Sequence, residues 1–160
     1  MMSPENLHPK LLVFAKYIYL IGAILMAMFS IVAGVWLCDR KPPFEMYGYV
    51  SPSVKQGEML HVKANVRRDI YRECSVTFSR SLFDEQGRRY WESPEYYVSP
   101  EGLRELNRQM KGDLELLLAI PDYAPPGKTT LVTNLKYICN PIHQLWPIET
   151  STVVETTVTQ

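Results

Sequence analysis

The chain has 160 residues with 17 basic and 17 acidic side chains, so it carries no net charge at pH 7. That balance argues against nucleic acid as a partner, because gripping a polyanion needs an excess of positive charge. Its length suits one ordinary domain plus an appendage, and its hydrophobic residues are unevenly spread, with one dense block near the N-terminus and period-two scatter afterwards.

Residues 1–16 read as a short N-terminal tail that includes His8, Lys10 and Lys16. From Tyr17 to Cys38 the sequence YIYLIGAILMAMFSIVAGVWLC has no charged residue, and Lys16 and Asp39 close it on either side. As a helix these residues span about 33 Å, the hydrocarbon thickness of a bilayer. Tyr17, Tyr19 and Trp36 fit the aromatic belts at the two interfaces, and Gly22, Ala23, Ala27, Ser30, Ala33 and Gly34 are tolerated in such a helix. We read 17–38 as an uncleaved transmembrane helix. A secretory signal has a shorter apolar region and a small-residue cleavage site, whereas this run ends in the bulky Val35-Trp36-Leu37-Cys38. Cys38 is read as an inert helix residue, with lipidation or an intermolecular crosslink as alternatives.

Residues 39–43 form a spacer, in which Pro42-Pro43 cannot continue a helix. Strands are expected at Phe44 to Val50 and at Leu60, Val62, Ala64 and Val66, which alternate with His61, Lys63, Asn65 and Arg67. Val76, Phe78, Arg80 and Leu82 make the next row, with Thr77, Ser79 and Ser81 facing away. Further strands are placed at Arg88 to Glu92, Leu114 to Ile120, Leu131 to Tyr137 and Ile148 to Val158. Turn chemistry separates them at Pro52 to Gly57, Asp84 to Gly87 and Ala124 to Gly127. Pro100 to Met110, with Glu101, Leu103, Leu106 and Met110, reads as a short crossover helix or turn between two sheets. About seven strands over residues 44–160 predict an all-β fold, an immunoglobulin-like antiparallel β-sandwich.

Tyr137-Ile138-Cys139 carries the sharpest local signal. Such sandwiches often place a tyrosine two residues before a cysteine, its hydroxyl bonding back to nearby chain at a corner, so Tyr137 is expected to define the fold. By strand count Cys74 opens the third strand and Cys139 closes the sixth, antiparallel neighbours in one sheet, which makes them a disulfide candidate. Two buried free thiols are the alternative. A disulfide persists only in an oxidising compartment, and it directs the C-terminal domain to the periplasmic or extracellular side. The flanking charges do not decide orientation, since Lys10 and Lys16 balance Arg40 and Lys41.

Pro42-Pro43, Val54 to Gly57, Cys74, Pro125 to Gly127, Tyr137-Ile138-Cys139-Asn140-Pro141 and Leu145-Trp146-Pro147 together resemble a loose group of small phage- and prophage-encoded single-pass membrane proteins with a C-terminal immunoglobulin-like domain. The resemblance covers most of the chain. It implies a fold and a location and carries no established activity.

No catalytic constellation is evident. The three histidines, His8, His61 and His143, are read as scattered over the tail, an exposed strand face and a loop, without metal-ligand spacing. There is no nucleophile elbow, phosphate loop or dinucleotide fingerprint, so the expectation is no catalytic residue, no metal and no cofactor. Acidic pairs such as Asp84-Glu85 are read as solvated carboxylates in turns. Tyr90, Trp91, Tyr96 and Tyr97 crowd one polar segment, and His143 to Trp146 crowd the loop before the last strand. These give a possible binding surface, with sheet packing as the alternative, above all for Trp91 and Trp146. Arg67, Arg68, Arg72, Arg80, Arg88 and Arg89 are read as a solvated basic face, with an approach to anionic lipid heads as the alternative.

The sequence thus predicts a non-enzymatic protein-interaction module anchored in the lipid bilayer, binding a protein partner or another copy of itself. The alternatives are a structural or assembly subunit of a membrane or virion complex and, less favoured, an envelope hydrolase.

Overall fold

The computed structural model describes residues 9–69, 71–109 and 113–160, and the chain divides into two compact units between Arg40 and Lys41. The first unit is helix α1, Pro9–Cys38. It begins well before the uncharged run because proline is suited to the first helical position, and lysines at 10 and 16 favour a helix backbone as well as most residues do. Residues 9–16 of the expected tail are thus helical, and His8 lies outside the described residues. Val13–Cys38 is a 26-residue stretch long and apolar enough to cross a bilayer, and none of its apolar window is buried within the protein. Phe14, Leu25, Phe29 and Ile31 all stand exposed.

The second unit is mostly β. One sheet has the order β1 (Phe44–Val50), β3 (Met59–Arg68) and β7 (Asp113–Ala119), all antiparallel. The other has the order β2 (Val54–Lys55), β9 (Ile148–Thr159), β8 (Gly127–Ile138), β4 (Ser75–Phe83) and β5 (Arg89–Glu92), with β6 (Tyr96–Val98) also on β4. Its rungs are antiparallel except that β2 runs parallel to β9, through Val54↔Val158 and Lys55↔Thr159. The chain therefore changes sheets between β1 and β2. Helix α2, Pro100–Gln109, carries it back from β6 to the sheet of β7. Met110 lies outside the described residues. The N-terminus of α2 is capped by Ser99, whose Oγ accepts the Gly102 amide at 3.1 Å, with Pro100 at the next position.

Two short strands were not legible: β2 sits inside the expected Pro52 to Gly57 turn, and β6 holds two aromatics expected on a loop. Period two otherwise behaves as predicted. Leu60, Val62 and Ala64 are buried on β3 while His61, Lys63 and Asn65 are exposed, so one face of the strand leaves water.

The interior consists of two clusters. The larger unites Leu60, Val62 and Leu118 from one sheet with Leu82, Leu131 and Val154 from the other. The smaller gathers Cys74, Val76, Leu103, Tyr137 and Ile148. On β4 the break between them falls at Arg80, and on β8 at Thr133, and these two residues face each other in register. A polar rung thus interrupts the core where the alternating pattern calls for apolar side chains.

One expected turn carboxylate is not solvated. Asp84 is buried, with Oδ1 accepting the Gln86 and Arg88 amides at 3.0 and 2.8 Å and Oδ2 accepting Arg88 Nε at 2.8 Å. Burial pushes its carboxyl up, but the bonds from Arg88 and Gln86 outweigh this and hold it below the usual range.

Candidate functional site

Cys74 and Cys139 are joined in a disulfide, with Cα atoms 4.1 Å apart, where the last rung of β4 and β8 pairs Ser75 with Ile138. The bridge links neighbouring strands of one sheet, as the strand count predicts. Cys38 is a free, exposed cysteine. Tyr137 is buried nearby, but its hydroxyl does not bond to adjacent chain: it donates to the carbonyl oxygen of Phe44, 93 residues away, at 3.2 Å. The expected local corner is instead a tie between the two sheets.

Beyond the disulfide, Asn140 caps a 3₁₀ turn, Pro141–Gln144, accepting the Ile142 and His143 amides at 3.0 and 3.1 Å. His143 is only 1% exposed, and its Nδ1 accepts the Cys139 amide at 3.2 Å. It belongs to the turn's support and not to a binding surface, because the chain folds the ring back under itself. The outer part of this loop is Leu145 and Trp146, 92% and 58% exposed.

The aromatic segment divides in the same way. A bulge between Leu82 and Phe83 lets the successive residues Tyr90 and Trp91 both pack, half-buried, on the larger core cluster. Tyr90 donates to Thr129 Oγ1 at 3.4 Å, and burial raises its phenol above the ordinary value. Tyr96 pairs with Phe78 across β6 and β4 and stacks on it at 5.3 Å between ring centroids. Tyr97, its neighbour, points outward and is exposed. Tyr97 and Trp146 are therefore the most open of the predicted surface aromatics, while Tyr90 and Trp91 hold the sheet.

The feature the sequence reading missed is Arg80. It was grouped with the solvated arginines although parity set it among Val76, Phe78 and Leu82, and it faces inward. Its backbone is pinned on both sides by the buried Ser93, whose Oγ accepts the Arg80 amide at 2.9 Å and whose amide donates to the Arg80 carbonyl at 2.8 Å. The guanidinium lies 5.3 Å from the centre of the Phe78 ring. Its Nε is buried without a hydrogen-bond partner. Burial lowers the Arg80 pKa from its ordinary value.

Two clefts, of about 250 and 260 Å³, meet at Phe78 and Arg80. The first runs between the sheets past Val76, Leu116 and Leu135 and under Leu103 and Leu106 of α2. The second is bounded by Trp91, Ser93 and Tyr96 on one side and Leu117 on the other. Among the described residues no aspartate or glutamate lines either. Among the described residues no three His, Cys, Asp or Glu side chains are grouped to hold a metal ion. No protein-family model matches the chain, and no curated protein matches it.

Proposed function

We propose that this protein is a membrane-tethered, non-enzymatic interaction module of a cell envelope, with an immunoglobulin-like domain on the oxidising side of the bilayer. The observation that carries this reading is the unburied apolar stretch Val13–Cys38, followed in the chain by a disulfide-closed β unit. Lipid is the solvent that such a helix surface favours, and a disulfide is retained outside reducing compartments.

The strand order supports the immunoglobulin-like assignment. Pairing of β4, β8 and β9 in one sheet and of β1, β3 and β7 in the other corresponds to the C-F-G and A-B-E groupings of those domains. The cysteine bridge replaces the usual inter-sheet bond with one between neighbours. Exposed Tyr97, Leu145 and Trp146 offer amphipathic contact area for a protein partner. The resemblance to phage- and prophage-encoded membrane proteins belongs to the same proposal.

A second reading, an assembly subunit held by helix contacts, is favoured by Gly22 and Gly34. A side chain built at either would meet nothing within 4 Å, so a neighbouring helix has room to approach closely.

A photo-crosslinking residue placed at Tyr97 or Trp146 in the full chain tests both. Capture of one partner that survives exchange of α1 for a polyleucine helix supports the module, whereas loss of capture on that exchange supports the assembly subunit. Release of the full chain from membranes by alkaline carbonate removes both readings.

A further inference from the structure

We propose that the cleft between the sheets binds a single-chain fatty acid, with the Arg80 guanidinium holding its carboxylate and the apolar walls housing its chain. The site stands on the β unit alone and is independent of any protein partner at Tyr97 or Trp146.

Arg80 places a charge in an apolar setting. A cation partly withdrawn from water gains from an opposite charge or from further hydrogen bonds. Arg80 has a buried Nε with no hydrogen-bond partner, and among the described residues neither cleft meeting at its side chain is lined by an acidic one. Stacking on Phe78 compensates one face of the guanidinium, and no carboxylate among the described residues lining either cleft pairs with its edge. The missing group is therefore an anion, and the walls around it decide what kind. Val76, Leu114, Leu116 and Leu135 line the first cleft, whose polar lining is confined to the Arg80, Thr133 and Tyr137 side chains. An inorganic anion gains nothing from such walls, whereas each methylene of an acyl chain leaves water there.

Head and tail size follow from the same geometry. A planar guanidinium matches a carboxylate through two parallel hydrogen bonds, and one cation balances one negative charge. Thr133, in register with Arg80 on the neighbouring strand, supplies a further hydroxyl on the same face. A volume of about 250 Å³ suits one medium-length chain and is too small for a two-tailed lipid.

The test uses the full chain in phosphatidylcholine nanodiscs, titrated with decanoate labelled with ¹³C at the carboxyl and followed by NMR, with protein-free discs alongside. A saturable site of one decanoate per chain is expected, absent from the protein-free discs. Neutral decanol is expected to compete at least about tenfold more weakly, since it lacks the charge-assisted pair. That comparison needs no substitution. Arg80→Met is expected to lose about tenfold in affinity or more, Arg80→Lys to retain part of it, and Leu116→Trp to abolish binding by filling the cleft, each with the disulfide and near-ultraviolet circular dichroism intact. Equal binding of decanol and decanoate, full affinity in Arg80→Met, or only the unsaturable signal of protein-free discs overturns the proposal. So does photo-crosslinking from position 106 to a second copy that decanoate fails to displace, which would make another protomer the occupant.

Discussion

The hydroxyl of Tyr137 on β8 reaches across the interior to the carbonyl oxygen of Phe44, the first residue of β1, at 3.2 Å. This bond fastens the start of the three-stranded sheet to the six-stranded one. Tyr137→Phe keeps the ring and orphans that carbonyl, so it is expected to lower unfolding free energy by about 1 kcal/mol. Burial raises the Tyr137 phenol above its ordinary value. The unfolded chain releases that proton first, so the contribution is whole below about pH 10 and is lost as pH climbs through the folded value. Urea unfolding from pH 8 to 11 checks this: the wild type is expected to weaken more steeply than Tyr137→Phe, and parallel curves refute the assignment.

The Cys74–Cys139 bridge closes a loop with a sequence separation of 65. In the chain-entropy account that constraint on the unfolded state is worth about 4 kcal/mol. The double substitution Cys74→Ala with Cys139→Ala is expected to shift the urea midpoint sharply downward, as is reduction of the wild type. An unchanged midpoint under reductant removes the bridge from the account of stability.

Asp84 gives the opposite pH dependence to Tyr137. Its carboxyl is held below its ordinary value by Arg88 and Gln86, so it stabilises the fold above about pH 4, and that contribution is lost as pH falls through the folded value. Asp84→Asn is expected to flatten the acid limb of the stability profile, measured by thermal unfolding between pH 7 and pH 2. If the limb keeps its slope, other carboxylates govern acid unfolding.

His143 and Trp146, three residues apart, are expected to respond differently to truncation. His143→Ala orphans the half-buried Cys139 amide and empties a buried ring site, and is expected to cost about 2 kcal/mol, while Trp146→Ala at an exposed site stays within about 0.5 kcal/mol. Equal losses in chemical denaturation would contradict this division between the buried ring and the exposed one.

Gly57 and Gly87 both adopt positive φ, 76° and 75°. A methyl at Gly87 meets nothing within 4 Å, so Gly87→Ala pays only the left-handed backbone penalty of about 1–2 kcal/mol. At Gly57 the methyl also collides with the Asp122 carboxylate. Gly57→Ala is therefore expected to be the more damaging, and a smaller midpoint shift than that of Gly87→Ala contradicts the turn geometry.

The rows that declared themselves in the sequence are those with one wet and one dry face: β3 through Leu60 and Val62, and β8 through Leu131 and Tyr137. Parity brought Cys74 and Cys139 together for the same reason, since a strand's side chains repeat every two residues. The missed elements lack that period. Two residues in β2 and three in β6 are too few to alternate, and their pairing with β9 and β4 is a tertiary event. Helix α1 extends N-terminal of the uncharged run because charge ends a hydropathy run without ending a helix. His143 was taken for a loop residue because only the folded chain reveals the amide it serves. Arg80 had the right parity and the wrong chemistry, so its class was weighed above its position.

The bridge between Cys74 and Cys139 also limits how far the chain can be drawn out. Everything between those residues, including α2 and β7, stays in a closed ring under tension, which withholds roughly 220 Å of extended backbone. Force applied at the two termini is therefore carried through the bridge and not along the ring until the disulfide is reduced.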